Sequence, residues 1–305
     1  MTLMIDTLRA AVALGPSMRR AAEDIDSLFE AILPDPPDPR RRLYQAMRYA
    51  AVGGGKRLRP LLTIASSSLF GVSRESAIRA GLAVECVHVH SLIHDDLPCM
   101  DDDDLRRGKP TVHRAYDEAT AVLAGDALLA LAFEILGDPA MPVSGEIRAE
   151  LVCELARAAG AAGMAGGQML DLLPAAAAPD LDAITRLQRL KTGALIGWCV
   201  EAGAIMGQAP AEARTSLRGY AHCLGLAFQI ADDLLDRSGD EARVGKRLRK
   251  DDEQGKVTFV TILGEERAQR QARILVEQAT EHLQGFGREA ELLAAIARFA
   301  ISRDR

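Results

Sequence analysis

Residues 121–136, AVLAGDALLALAFEIL, form the stretch that decides the fold. The segment is apolar almost all round over a helical length, which predicts a buried helix. In residues 77–96, AIRAGLAVECVHVHSLIHDD, apolar residues recur at steps of three and four, as on one face of a helix. Convincing strands with a period of two are absent from the sequence. The pattern therefore predicts an all-α protein.

Segments rich in proline and glycine separate the predicted helices. They lie at residues 33–40, 137–146, 172–180 and 206–210. No shift of composition marks a linker, and the sequence has no repeat of roughly 20 to 50 residues. We therefore expect a single domain over residues 1–305.

The composition limits the class of partner. A net charge of -6 gives no general basis for binding nucleic acid or an anionic membrane, so any affinity for phosphate must be local. No run of about 18 apolar residues would span a bilayer, which favours a soluble cytoplasmic protein without membrane insertion. The five cysteines form no CxxC pair and mostly lie in apolar helical runs, so we expect neither disulfides nor zinc.

Residues 91–110, SLIHDDLPCMDDDDLRRGKP, place six aspartates within ten positions and follow them with two arginines. Two carboxylates about 4 Å apart near a protein surface repel by roughly 4 kcal/mol at an effective dielectric constant of about 20. A cluster that faces one cavity therefore needs cations to offset its charge. The alternative is a solvated acidic turn, because charge runs usually face water.

The acids of this stretch could not share one ligand on an unbroken helix. Asp95 and Asp101 would lie about 240° apart at about 100° per residue. Pro98 cannot donate a backbone hydrogen bond and clashes with the carbonyl of His94, so the helix should bend or end there. The later acids can then fold back toward Asp95 and Asp96.

A second acidic group lies in residues 225–240, GLAFQIADDLLDRSGD. Asp232 and Asp236 lie about 40° apart on a helix, with Gln229 one turn earlier on the same side. Acids at a helix carboxyl end oppose the macrodipole and indicate a compensating cation, although exposed acids at a helix end are the simpler alternative. Oxygen ligands without a thiolate or a set of histidines favour Mg²⁺ bound together with substrate phosphates.

Basic residues complement these acids. Residues 53–60, GGGKRLRP, place Lys56 and Arg59 after a glycine-rich turn, and Arg106 and Arg107 follow the aspartates directly. Arginine binds phosphate oxygens in pairs, and glycine allows close backbone approach. A plain turn, or pairing of Arg106 with a neighbouring aspartate, would explain each group alone. Two acidic and two basic groups together indicate an enzyme that joins two phosphorylated substrates.

Seven motifs resemble, in order and spacing, the trans-isoprenyl diphosphate synthases. They are GGGKRLRP (53–60), HSLIHDDLPCMDDDDLRRGKPTVH (90–113), LAGDALL (123–129), AGGQMLD (165–171), KTGALI (191–196), FQIADDLLD (228–236) and GKRLRKDDEQGKVTF (245–259). The DDxxxxD spacing of the first aspartate motif is similar to that of bacterial farnesyl and plant-type geranylgeranyl diphosphate synthases. The resemblance implies an all-α bundle of roughly ten or more helices around a deep central cavity. It also implies a homodimer and a cluster of about three Mg²⁺ ions.

The resemblance also implies roles for individual residues. The metal ligands are Asp95, Asp96, Asp101, Asp232 and, more indirectly, Asp236. The allylic diphosphate is bound by Arg106, Lys191, Lys246 and Lys256, and isopentenyl diphosphate by Lys56, Arg59, His88 and Arg107. Oxygens of Thr192 and Gln229 face the allylic carbocation, and the released pyrophosphate takes the proton.

Four histidines lie within or close to the first aspartate motif. His88 lies about 20° from Asp95 on one helix face, which favours a ligand role over a core histidine. His94 and His113 are interpreted as structural. In the family, the residue five positions before the first aspartate limits chain length, and here it is His90. The helical wheel instead favours Ser91, which lies about 40° from Asp95, whereas His90 lies about 140° away.

Residues 237–256 form the longest stretch without apolar periodicity, which is typical of a functional lid or of disorder, and its basic residues favour the lid. The chain departs from the family pattern at Arg249, where glycine is frequent, and at Phe259, where tyrosine is frequent. Both departures concern the lid and its flank.

Two other classes compete with a chain-elongating enzyme. A non-catalytic subunit of a heteromeric prenyltransferase should have eroded aspartate motifs, whereas both are whole here. A terpene cyclase would have no use for a second diphosphate site at Lys56, Arg59, His88 and Arg107. We therefore predict a Mg²⁺-dependent prenyltransferase with a C15 product from dimethylallyl and geranyl primers, and geranylgeranyl diphosphate synthesis as the alternative.

Overall fold

The computed structural model describes residues 2–173, 180–238 and 257–302, and these residues are almost entirely helical. The α-helices are α1 Thr2–Ile32, α2 Arg41–Ala51, α3 Leu58–Ser68, α4 Arg74–Asp95, α5 Val112–Ala115, α6 Glu118–Gly137, α7 Gly145–Ala159, α8 Met164–Leu172, α9 Leu181–Gln188, α10 Ala194–Met206, α11 Ala211–Ser238, α12 Phe259–Leu263, α13 Glu265–Glu281 and α14 Glu291–Ser302. A π-helical turn, Arg189–Gly193, joins α9 to α10, and a 3₁₀ segment, Gln284–Ala290, precedes α14. The all-α prediction is confirmed.

The predicted breaks coincide with the ends of helices. Each segment rich in proline and glycine begins within one residue of a helix end: α1 ends at Ile32, α6 at Gly137, α8 at Leu172 and α10 at Met206. Side chains cap several helices at their first turn. Asp117 Oδ1 accepts from Thr120 N at 2.7 Å at the start of α6, and Ser144 and Asp180 cap α7 and α9.

Helix α6 packs on α4. Ala121, Ala124, Leu128, Ala132 and Leu136 are fully buried along one face. Leu123, however, is 57% exposed and Val122 is 40% exposed, and Asp126, Ala130 and Glu134 are exposed further along, so the prediction of a helix buried all round is wrong for one face. Among the described residues α6 alone is long and apolar enough to cross a membrane by length and composition.

One hydrophobic cluster runs through the bundle from α1 to α14. It includes Phe29 in α1, Leu128 in α6, Leu224 in α11 and Ile296 in α14. This continuity supports the prediction of a single domain.

The five cysteines divide into two groups. Cys86, Cys199 and Cys223 are buried thiols in helices, and burial raises the pKa of each. Cys99 and Cys153 are exposed, so the expectation of thiols mostly in the core fails for these two.

Candidate active site

The carboxyl end of α4 brings the first group of acids together. The helix ends at Asp95, three residues before Pro98, as predicted. The chain then turns back, since Asp101 N donates to the carbonyl of Asp95 at 2.8 Å and Asp103 N donates to that of Asp96 at 3.2 Å. The backbone therefore holds Asp101 beside Asp95, which a straight helix would not allow.

Burial and like charge act on these carboxylates. The pKa of Asp95 is raised to about 6, chiefly by desolvation, with the Lys191 ammonium opposing the shift and Asp101 and Asp96 adding to it. Desolvation also raises the pKa of Asp96, against the opposing effect of Arg106. A cation at this end of α4 would relieve both the repulsion and the cost of desolvation.

A small hairpin, absent from the sequence prediction, orients the two arginines. Strands β1 Leu105–Arg106 and β2 Lys109–Pro110 pair antiparallel, and Arg107 and Gly108 turn between them at φ of 54° and 74°. Positive φ at both positions is the geometry of a tight two-residue hairpin turn. The hairpin directs Arg106 back onto Asp96, which it meets through Nε at 3.0 Å and through Nη2. Arg106 thus pairs with a neighbouring aspartate, the alternative that the sequence left open.

The glycine-rich loop before α3 receives the other arginine. A Cβ at Gly55 would lie 2.5 Å from Nη2 of Arg107, and one at Gly54 would lie 2.9 Å from its Nη1. Glycine is favoured at position 55 by its φ of 84°, and at both positions it lets the guanidinium of Arg107 lie against the loop backbone. The glycines predicted that another group would approach the loop backbone closely. In the structure that group is the guanidinium of Arg107.

Arg57, which the sequence analysis did not single out, holds this loop in place. It is 2% exposed and has a left-handed backbone at φ 49°. Its Nη1 lies 2.8 Å from Oε1 of Glu85 in α4, and its Nη2 lies 2.5 Å from Oδ1 of Asp26 in α1. Its position between Lys56 and Arg59 in a basic stretch gave no signal that it would be buried.

Two neighbouring cavities lie on either side of the last turns of α4. The first has a volume of about 970 Å³ and is lined by six basic and three acidic side chains. Of the predicted site residues it brings together Lys56, Arg59, His88, Asp96, Arg106, Arg107 and Asp232. A cavity with this excess of positive charge, in a chain of net charge -6, is suited to anionic ligands.

The second cavity has a volume of about 350 Å³ and a more apolar wall. Its predicted site residues are Arg59, His88, His90, Ser91, Asp95, Lys191 and Thr192. Side chains of Leu92, Met100, Met164, Met169 and Leu172 supply the apolar surface. Arg59 and His88 line both cavities, and the Nε atom of Arg59 is buried without a hydrogen-bond partner among the described residues. His88 and His90 have lowered pKa values because their imidazoles are desolvated, that of His90 about 4.

The side chain of Lys191 is positioned by Asp171, a residue to which the sequence analysis assigned no role. The ammonium of Lys191 lies 2.6 Å from Oδ2 of Asp171, the last residue of the motif AGGQMLD. Gly167 of the same motif lets α8 approach the π-helical turn, because a Cβ there would lie 2.2 Å from the backbone nitrogen of Lys191. The motif therefore fixes Lys191 in the lining of the second cavity.

A chain of hydrogen bonds joins the π-helical turn to α11 and α12. Thr192 Oγ1 donates to Gln229 Oε1 at 3.1 Å, and Gln229 Nε2 donates to Asp233 Oδ1 at 2.9 Å. Asp233 Oδ2 accepts from the backbone of Phe259 at 2.9 Å. Gln229 thus bonds to Asp233, although the helical wheel placed it beside Asp232 and Asp236. Asp233 is 5% exposed, whereas Asp232 is exposed and lines the first cavity.

Some predicted residues lie elsewhere. Among those that the structure describes, Asp101, Gln229 and Asp236 are outside the lining of both cavities. Lys246, Lys256 and Arg249, with nearly all of the predicted lid, lie outside the described residues.

The acidic residues fit Mg²⁺. The carboxyl ends of α4 and α11 provide carboxylate oxygens, which are the ligands that Mg²⁺ prefers, and these lie beside basic side chains that can bind phosphate. The raised pKa of Asp95 reflects a buried carboxylate for which a divalent cation would compensate.

The chain belongs to the polyprenyl synthetase family, which it matches over residues 40–297. This match confirms the resemblance inferred from the motifs. Farnesyl diphosphate synthase of Escherichia coli is 47% identical over 284 residues, which are 92% of this chain and 94% of that protein. Geranylgeranyl pyrophosphate synthase 3 of Arabidopsis thaliana is 43% identical over 94% of this chain and 80% of its own length. The crystal structure of an FPP/GFPP synthase from Zymomonas mobilis, 55% identical, superposes with a TM-score of 0.88 over 95% of this chain and 99% of that one.

Proposed function

We propose that this protein is a Mg²⁺-dependent prenyltransferase that condenses isopentenyl diphosphate with dimethylallyl and geranyl diphosphates to give (2E,6E)-farnesyl diphosphate. The observation that carries the proposal is the pair of adjoining cavities at the end of α4, one basic and one largely apolar. A basic cavity suits diphosphate groups and an apolar one suits a prenyl chain.

Two sets of side chains bind the two diphosphates. Lys56, Arg59, His88 and Arg107 bind isopentenyl diphosphate. Arg106, Lys191, Lys246 and Lys256 bind the allylic diphosphate. Arg106 keeps its pairing with Asp96 and uses its remaining N–H donors, since a guanidinium has five. Lys191 approaches the ligand from its contact with Asp171.

Asp95, Asp96, Asp101 and Asp232 would hold about three Mg²⁺ ions, with Asp236 acting more indirectly. When bound, these ions supply positive charge to the departing pyrophosphate. Arg106 and Lys191 add fixed positive charge on the same side, which stabilises negative charge as the bond from carbon to oxygen breaks.

The allylic carbocation forms beside the π-helical turn. Thr192, which lines the second cavity, presents its oxygen toward it, and Gln229, outside that lining, fixes Thr192 through their mutual hydrogen bond. The apolar wall of the second cavity excludes water from the cation. The double bond of isopentenyl diphosphate then attacks, and the pyrophosphate accepts the proton that completes the step.

Geranylgeranyl diphosphate synthesis is the second candidate. It is favoured by the relatives of that name, which are up to 43% identical to this chain. The two candidates share all the residues above and differ only in how far the second cavity extends. A non-catalytic subunit is a weaker alternative, because the first and second aspartate motifs are both whole.

The oligomeric state and the location of the protein in the cell are also proposals. We expect a homodimer in the cytoplasm, without membrane insertion or nucleic-acid binding, on the strength of the family resemblance and the net charge of -6. Packing of α6 against α4 accounts for the apolar composition of α6 within the bundle.

One experiment tests the proposal. The purified protein is incubated with Mg²⁺, isopentenyl diphosphate and each allylic primer in turn, and the dephosphorylated products are separated by chromatography. A C15 alcohol as the main product from both primers is expected. Main C20 product would favour geranylgeranyl diphosphate synthesis, and failure to elongate any primer would reject an elongating enzyme.

A further inference from the structure

A cluster of two imidazoles and a carboxylate lies at the seam between α4 and α6, behind the aspartate motif. His90 and His94 are four residues apart on α4, and their rings lie edge to face with centroids 4.4 Å apart. Asp126 of α6 faces them, with its Oδ1 atom 3.8 Å from Nε2 of His94. The candidate ligand atoms of all three residues lie within 4.8 Å of one another.

We propose that His90, His94 and Asp126 form a second metal site, selective for Zn²⁺ or a similar borderline transition metal. Imidazole nitrogens bind such ions far better than they bind Mg²⁺, so this site would be chemically distinct from the all-carboxylate set at the end of α4. Two histidines one helical turn apart present their rings to the same point, as in many zinc sites. The sequence analysis expected no zinc because the cysteines form no CxxC pair. The ligands proposed here are two histidines and an aspartate.

The state of His90 supports the site. Its Nδ1 atom is buried and has no hydrogen-bond partner among the described residues. A buried nitrogen without a partner is costly, so the imidazole of His90 would gain from a ligand that the described residues do not supply. Nothing in the proposed prenyl transfer uses this nitrogen.

The ring of His94 lies close against the backbone of α6. A Cβ at position 125 would lie 2.3 Å from Nε2 of His94, so Gly125 is required for the ring to lie against α6. The same nitrogen lies 3.1 Å from the carbonyl of Val122, a contact that an ion would replace. That carbonyl lies within α6 and keeps its helical partner.

Small side-chain rotations would complete the geometry. Tetrahedral zinc with ligands at about 2.0–2.1 Å separates its ligand atoms by about 3.3 Å. Asp126 has a side chain 60% exposed, so it can move toward the rings and leave one position for water. Three protein ligands and one water are a common arrangement for a zinc ion.

An ion at this site would fix His90, which lines the second cavity. Zinc should therefore narrow the range of chain lengths that the enzyme releases. This consequence rests on the proposed function, whereas zinc binding itself does not, and the two can fail separately.

Calorimetric titration of Zn²⁺ into the full-length protein, in a buffer with excess Mg²⁺, tests the site. One zinc per chain is expected for the unmodified protein. Asp126→Asn and His94→Gln should each weaken binding by more than about tenfold, since loss of even an outer-shell partner of a metal ligand costs about 10–100-fold. His282→Ala, which removes an exposed histidine from the end of α13, is the matched control and should bind as the unmodified protein does.

Circular dichroism confirms that each variant is folded before titration. No zinc binding by the unmodified protein, undiminished binding by both variants, or an equal loss in His282→Ala would each overturn the proposal. Product analysis with and without zinc then tests the effect on chain length in the unmodified protein and in Asp126→Asn.

Discussion

Asp232 and Asp233 are neighbours in α11 with opposite environments: Asp232 is exposed at the wall of the first cavity, whereas Asp233 is buried and bonded to Gln229 and to the backbone of Phe259. The 100° between successive residues of a helix places one carboxylate toward the cavity and the other toward α12. The carboxylate of Asp232 therefore faces the cavity, whereas that of Asp233 stabilises the contact between α11 and α12.

The two positions should separate activity from stability. Asp232→Ala is expected to lower turnover by about 100-fold or more, as loss of charge stabilisation in a transition state does, with little change in the free energy of unfolding. Asp233→Ala leaves a buried N–H of Phe259 without its acceptor and should cost about 1–3 kcal/mol of stability. Urea unfolding and steady-state kinetics on both variants check this, and equal stability of the two variants would contradict it.

Chelation tests the metal requirement directly. With excess chelator the unmodified protein should lose activity, because the repulsion among Asp95, Asp96 and Asp101 is then not offset and the pyrophosphate leaves unaided. Mg²⁺ should restore the activity. Asp95→Ala should stay inactive at every Mg²⁺ concentration while its circular dichroism remains helical. Full turnover in excess chelator would rule out the metal role.

We expect Arg57 to stabilise the folded protein and not to bind substrate. Arg57→Ala leaves Glu85 buried without its cation and is expected to cost about 3–5 kcal/mol, the usual effect of breaking a buried ion pair. Arg40→Ala, which removes an exposed pair with Asp38, is the matched control and should leave the unfolding curve unchanged. Denaturant unfolding of both variants makes the comparison. A small effect of Arg57→Ala would show that the loop is held by other contacts.

His88 should make the fold sensitive to acid. Its pKa lies well below the ordinary value of 6.5, because burial and the nearby Arg59 and Arg107 disfavour the imidazolium. The unfolded chain therefore binds a proton near pH 6.5 before the folded chain does, and stability falls as the pH drops below that value. His88→Gln should make this dependence less steep between about pH 7 and pH 5, measured by urea unfolding, and the buried His90 accounts for part of what remains. Parallel curves for the two proteins would exclude His88 as the source.

The sequence predicted the helices and the first aspartate turn because local rules govern them. Apolar periodicity and the breaks rich in proline and glycine marked the ends of α1, α6, α8 and α10. The exclusion of Pro98 from a helix interior led to the fold-back of Asp101. Both effects act within a few residues, so a single sequence is enough to read them.

The rest depends on contacts between distant segments. The burial of Arg57 requires Asp26 and Glu85, which lie 31 and 28 residues away, and the pairing of Lys191 with Asp171 requires the close approach of α8. The exposure of Leu123 on an apolar helix is equally a matter of what packs beside it. Periodicity shows which side chains share a face, but the neighbour of that face is set by the tertiary fold.

Chain length should respond to His90. The structure places both His90 and Ser91 in the lining of the second cavity, so the family pattern and the helical wheel each point to a residue that can limit growth. Each further CH₂ group gains about 0.8 kcal/mol on burial only where space exists, and the imidazole of His90 occupies part of that space. The unmodified enzyme should therefore release mainly C15 with a minor C20 product, and His90→Ala should raise the C20 share, assayed without added zinc.

His282→Ala, outside both cavities, should leave the ratio of C15 to C20 unchanged. Mainly C20 from the unmodified enzyme would show that the floor of the cavity lies deeper than His90, and an unchanged ratio in His90→Ala would transfer the role to Ser91.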